Sequence, residues 1–218
     1  KNASHDLMGA ECYLNSSYKE GGSSAQLRVP MQVVLDYWGY RLIAMPLLDL
    51  KEQVYGGGGR VLYDGSGYPD VQRVMRETAK DIHLAPHYVL GKLLYCAGDV
   101  EVHKGKDGKL YTLDLARTVP CESQRVTKKI EGHVKARGQP EFYCLLRAEL
   151  LERWKNAGGP PLSPDAFTGF SQRDADSKSH NRNVDKVTEF LLEKCIPELA
   201  QELDLLSPRE RGQFEESV

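Results

Sequence analysis

Along the first third of the chain, apolar positions fall in short, partly β-branched runs separated by turn residues. Leu27 to Leu35 is one such run, Asp36-Tyr37-Trp38-Gly39 interrupts it, and Tyr40 to Leu48 is apolar again. That pattern predicts a hairpin. A second strand pair is expected around Gly56-Gly57-Gly58-Gly59, from Gln53 to Tyr55 and from Arg60 to Tyr63. Then the period changes. Val71, Val74, Met75, Thr78 and Ile82 recur at helical spacing over Pro69 to Leu84. Pro69 and Asp70 fall in the first turn, where a missing N–H and a negative charge are both tolerated. After His87 to Cys96, a hairpin runs from Gly98 to Asp114 and turns at Gly105-Lys106-Asp107-Gly108.

Beyond residue 120 the spacing is mostly helical. Leu146, Leu150, Leu151 and Trp154 mark one helix, closed by Gly158-Gly159-Pro160. Ser163-Pro164-Asp165 is expected to start a short helix. Val187, Leu191, Cys195, Leu199 and Leu203 form one stripe, with a kink expected at Pro197. Gln172 to Asn183 has almost no apolar residue and reads as an exposed loop. The expected class is α+β, with a β-rich part over about 1–120 and a helical part over about 121–205. Ser207-Pro208-Arg209-Glu210 has the cap, first-turn Pro and N3 acid of a further helix, so 206–218 reads as the start of that helix or a linker. With eight residues left after Glu210, the chain reads as a piece of something longer.

Composition narrows the function. Of 218 residues, 40% are apolar and 28% charged, as in an ordinary globular domain. Lys and Arg number 29 against 31 Asp and Glu, a net charge of −2. No basic excess advertises nucleic acid, so the isolated domain is expected to bind RNA weakly at physiological salt. The longest apolar runs, such as Leu42 to Leu50, are too short to cross a bilayer, and no insertion into a membrane is expected. Cys12, Cys96, Cys121, Cys144 and Cys195 are odd in number and form no CxxC pair. That usage fits reduced thiols and a cytoplasmic location.

The hairpin at 98–114 carries the most chemistry. With a turn at 105–108, position 104 opposes 109 and position 99 opposes 114. Val100, Val102, Tyr111 and Leu113 then share a core face. Asp99, Glu101, His103 and Asp114 crowd the other face, and like charges opposed on a sheet destabilise it. Three remedies are open: solvation of a wet face, an arginine (Arg41 or Arg117) anchoring Asp114, or a divalent metal held by Asp99, Glu101, His103 and Asp114. The run Gly56, Gly57, Gly58, Gly59 is a weak phosphate-loop candidate, because it lacks the GK[ST] ending of a P-loop. His83, His87 and His133 stand alone, no G-x-S-x-G is present, and no catalytic residue is assigned. No cofactor is expected beyond that open metal.

Two longer segments resemble a known family. Asp36-Tyr-Trp-Gly-Tyr-Arg-Leu-Ile-Ala-Met-Pro46, followed by Val54-Tyr55-Gly56, is similar to a segment of the clustered mitochondria (CLU) domain. So is Asp107-Gly-Lys-Leu-Tyr-Thr-Leu-Asp-Leu-Ala-Arg-Thr-Val-Pro120. Tyr13-Leu14-Asn15 and Leu146-Arg147-Ala148-Glu149-Leu150 match more weakly. Trp38 stands where the family usually has Arg, and Val119 and Cys121 alter its Phe-Pro-Pro. The resemblance covers roughly residues 5 to 205, giving a CLU-like domain over 1–205. It implies a cytosolic protein needed for mitochondrial distribution and associated with messenger RNA and the translation apparatus, a binding or scaffold module whose partners are proteins or ribonucleoprotein. The alternative is a kinase-like two-lobed architecture, active or degenerate, with Asp99 and Asp114 placed as metal-binding residues at the two ends of a hairpin.

Overall fold

The computed structural model describes residues 3–17, 27–57, 61–128 and 144–205. Its first element is a helix, α1 (Ala3–Ser17), where the apolar pattern had suggested only strands. The buried positions explain the miss: Asp6, Gly9, Ala10, Tyr13 and Ser16 recur at helical spacing, but they are mostly small or polar. The strand β1 (Leu27–Arg28) precedes a hairpin of β2 (Val33–Tyr37) and β3 (Tyr40–Ala44). Trp38 and Gly39 make its two-residue turn with φ of 51° and 78°. Both positive values belong to the turn that matches the natural strand twist. β4 (Leu50–Gly56) and β5 (Tyr63–Asp64) pair across the glycine run, as the sequence suggests. α2 (Pro69–Asp81) buries Val71, Val74, Met75, Thr78 and Ala79.

Next come a small hairpin, β6 (His87–Val89) and β7 (Lys92–Leu94), then β8 (Glu101–Gly105) and β9 (Leu110–Leu113). Five strands form one sheet in the order β1-β9-β8-β4-β5. β1 runs parallel to β9, and the other neighbours are antiparallel. The β8–β9 register corrects the expected one. Glu101 opposes Leu113, Val102 opposes Thr112 and His103 opposes Tyr111. The loop therefore holds three residues rather than four, closed by the Gly105 N–H donating to the Lys109 carbonyl at 2.8 Å. A slip of one residue exchanges the faces of a strand. Val100 and Val102 are buried as expected, but on β9 it is Thr112 that is buried, while Tyr111 and Leu113 are only partly so.

A 3-10 turn at Leu115–Arg117 leads to α3 (Gln124–Thr127) and α4 (Ala148–Asn156). Ser163-Pro164-Asp165 is a turn rather than a helix start, and a 3-10 segment follows at Gly169–Arg173. Gln172 to Asn183 is not a loop: α5 (Ser177–Phe190) begins within it and buries His180. Its inward positions up to His180 are polar because they face a polar cluster, so an apolar stripe could not reveal its start. After α5 comes a π turn, Leu191–Cys195, and then α6 (Ile196–Leu205). Pro197 explains this break, since it lacks an N–H and its ring collides with the carbonyl one turn earlier. The Ser207–Glu210 helix start lies outside the described residues.

The fold is α+β, with two apolar clusters. Tyr55, Met75, Leu94, Val100 and Val102 centre the first, between the sheet, α1 and α2. Leu151, Leu162, Val184 and Val187 centre the second, among the later helices. Ile82 and Tyr95 pack against both.

Candidate functional site

A polar junction is built where the two clusters meet. Asp114, with φ of 64°, turns the chain out of β9 in the left-handed conformation. Asp6 of α1 then fixes the new direction by accepting the Leu115 N–H at 2.8 Å. Gly9 lets α1 approach, for a Cβ there would collide with the Leu115 carbonyl. This geometry drives Arg117 inward until only 2% of its side chain is exposed.

Arg117 meets two carboxylates. Its Nε and Nη2 donate to the two oxygens of Asp99 at 2.9 and 2.8 Å, and Nη2 also donates to Asp165 Oδ1 at 2.9 Å. Asp99 lies in the tight turn closed by the Val100 N–H and the Ala97 carbonyl. Asp165, 0% exposed, receives the Gly98 N–H and His87 Nε2 on its second oxygen, each at 2.8 Å. His87 Nδ1 lies 3.2 Å from the Ala85 carbonyl. The Phe170 ring packs 5.2 Å from the guanidinium carbon. Next to this group, His180 lies 3.4 Å from Asp174, and its ring meets His87 edge to face at 6.4 Å.

Electrostatics follow from this packing. Burial alone would push the Asp165 carboxyl up, but the hydrogen bond from His87 and the charge of Arg117 hold it below its usual 3.8. Burial would lower the Arg117 guanidinium, yet the two aspartates raise it further. Burial lowers the His180 imidazole below 6.5, although Asp174 pulls the other way. Both oxygens of Asp99 and both of Asp165 are engaged by donors of the chain itself. Chemically the junction is a clamp between the two apolar clusters.

The residues singled out by sequence fall in different places. Glu101 and His103 pair with each other at 2.8 Å, two residues apart on one face of β8. Asp99 and Asp114 are not opposed, because the one-residue slip ends the ladder at Glu101 and Leu113. Arg41 forks onto Asp36 at 2.8 and 2.9 Å on the surface of the first hairpin. Among the described residues, no group of three or more His, Cys, Asp or Glu is placed to hold a metal ion. Gly56 ends β4 and Gly57 follows it, with φ of 72° and 102°, and a Cβ on Gly56 would strike the Val100 carbonyl. Close approach of β8 thus accounts for that glycine; Gly58 and Gly59 lie outside the described residues.

Sequence reasoning missed His87, Asp165, Asp174 and His180. His87 and Asp165 are 78 residues apart, and Arg117 and Asp165 are 48 apart, so no local motif contains them. The only signal was the need for cations near a crowded set of acids.

One surface stands out. On β2 and β3, Val33 pairs with Ala44, Leu35 with Leu42 and Tyr37 with Tyr40. Alternation puts these six on one face, and all are exposed. The other face carries the half-buried pair Val34–Ile43 and the Asp36–Arg41 ion pair, from which Arg41 Nη1 reaches Ser4 of α1 at 3.4 Å. The outer face carries no charge. Among the described residues, no helix is long and apolar enough to cross a membrane.

Comparison with known proteins places the chain. "Protein clueless" of Drosophila persimilis is 31% identical over 176 residues, covering 68% of this chain and 11% of that protein. "Protein clueless" of Drosophila ananassae is 28% identical over 223 residues, covering 90% and 14%. The "Clustered mitochondria protein homolog" of Vanderwaltozyma polyspora is 24% identical over 144 residues, covering 59% and 11%. The chain thus spans only 11–14% of the length of these relatives. No solved structure matches it significantly. The family model described as "Clustered mitochondria" matches residues 1–124, more than half of the chain, and the chain belongs to that family.

Proposed function

We propose that this chain is a non-catalytic binding domain of a cytoplasmic protein that takes part in mitochondrial distribution, in association with messenger ribonucleoprotein or the translation machinery. The observation that carries the binding role is the uncharged outer face of β2 and β3, which leaves Val33, Leu35, Tyr37, Tyr40 and Leu42 in water. Contiguous exposed apolar surface of this kind marks interaction sites. The non-catalytic part rests on the junction: Asp99, which a kinase-like site would need for its metal, has both oxygens on Arg117. The names of the relatives support the mitochondrial part.

The test replaces Leu42 by Asp in cells that otherwise lack the protein. Mitochondria should cluster abnormally and co-sedimenting messenger RNA should fall, while the variant melts as the parent does. Normal distribution with a stably folded variant would sink the reading. Melting with ATP and magnesium or manganese addresses the kinase-like alternative, since a ligand of the native state raises the midpoint. No rise is expected; a rise of several degrees would favour a nucleotide site. The isolated domain should bind RNA weakly at physiological salt, and nanomolar retention on a filter would contradict that.

A further inference from the structure

The outer hairpin face has a shape as well as a chemistry. Its rows run from two large rings at the turn, Tyr37 and Tyr40, through Leu35 and Leu42 in the middle, to the small pair Val33 and Ala44 at the open end. The face is therefore a wedge, thick at the turn and thin where the strands leave it. A two-stranded hairpin is marginal in water without a layer on its apolar face. Among the described residues, α1 lies against β2 and β3 on the side of Asp36 and Arg41.

We infer that the face is covered by the same face of a second copy of this chain, related by a two-fold axis across the Leu35–Leu42 row. The inference rests on the binding reading above and names its partner. A two-fold interface sets one patch against itself, so the patch must be self-complementary. With the axis in the plane between the sheets and perpendicular to the strands, each copy's Tyr37 and Tyr40 lie over the other's Val33 and Ala44. Leu35 then faces Leu35, and Leu42 faces Leu42. Thick ends meet thin ends, and the sheets can approach the ~10 Å spacing of packed β layers. No charge lies on the face to be stranded by the contact. The area is of the right order for a weak dimer. Tyr37 and Tyr40 are 62% and 72% exposed, on the order of 250 Å² at ~200 Å² per ring. With the half-exposed Val33, Leu35 and Leu42, two such faces approach the ~1,000 Å² in total that a specific interface needs.

Sedimentation equilibrium of the 218-residue chain tests this. The chain should be a dimer at ~50 μM, well above a micromolar dissociation constant. Leu35→Asp and Leu35→Lys should each be monomeric at that concentration. Melted well below the dissociation constant, where the parent too is monomeric, their midpoints should lie within about 2 °C of the parent, since Leu35 is exposed in one copy. Mixed in equal amounts, the two variants should form a heterodimer, because the axis sets position 35 against itself. Leu35→Ser, uncharged, should weaken the dimer at least tenfold and gives the same readout if a charge at 35 disturbs the hairpin. A parent chain monomeric at ~50 μM overturns the proposal. So does a dimer untouched by these changes, or a mixture that stays monomeric. If the parent is monomeric while Leu42→Asp still disturbs mitochondrial distribution, the second copy is wrong and the binding reading stands. If the dimer behaves as stated but distribution is normal, the reverse holds.

Discussion

Replacing Asp165 by Asn removes one negative charge from the junction with almost no change of shape. The carboxylate accepts on both oxygens: Arg117 on one, the Gly98 N–H and His87 on the other. Asn has one acceptor and one donor end. Whichever way it turns, its NH₂ faces either the guanidinium or the pair of N–H groups. Breaking a buried ion pair from one side costs roughly 3–5 kcal/mol. In a chain of this size about 1 kcal/mol shifts the midpoint by ~2–4 °C. The expected fall is therefore about 6–20 °C, read by circular dichroism. Removing charge and countercharge together should do less harm. Arg117→Met with Asp99→Leu and Asp165→Leu should recover part of the loss, as buried clusters replaced by apolar volume generally do. Acid behaviour gives a second readout. Asp165 ionises below 3.8 in the folded chain, so its contribution is complete above the unfolded value and is lost as pH falls through the folded one. Asp165→Asn should lack that part of the acid limb. A loss under about 1 kcal/mol, the size of a solvated pair, would refute the clamp.

Three further outcomes are expected. Gly9→Ala should destabilise by about 1–3 kcal/mol in urea titration, because α1 must retreat from the Leu115 carbonyl. His180 binds its proton less readily folded than unfolded, so stability should decline as pH falls below 6.5, and His180→Gln should flatten that slope in melts between pH 7 and 5. Thiol labelling of the native chain should modify Cys144 first. Cys12, Cys96, Cys121 and Cys195 are buried and should need denaturant, and burial with Glu149 and Glu11 nearby pushes the Cys12 thiol up to about 11.

The sequence made parts of this legible for identifiable reasons. α2 was readable because Val71, Val74 and Met75 face one apolar cluster, and the first hairpin because its strands are apolar on both sides of a turn. α1 and the start of α5 were not, since their inward faces are made of Asp, Gly, Ser and His that serve polar partners distant in sequence. In the second hairpin the strands were readable and the register was not: the turn expected at 105–108 holds three residues instead of four, which turns Thr112 rather than Tyr111 and Leu113 to the core. The junction was half visible: Arg117 stood out as a cation near acids, but Asp165 had nothing local to announce it.

That junction also bears on how the domain can be divided. The stretch matched by the family model ends at residue 124, whereas Arg117, His87 and Gly98 within it all converge on Asp165 beyond it. A polypeptide cut after residue 124 would keep a buried guanidinium and a buried imidazole and lose the carboxylate that joins them. It would also open the face where Ile82 and Tyr95 meet the later helices. The stretch that the family model matches is shorter than the portion that must fold together, and a fragment drawn to its limits is poorly suited to expression.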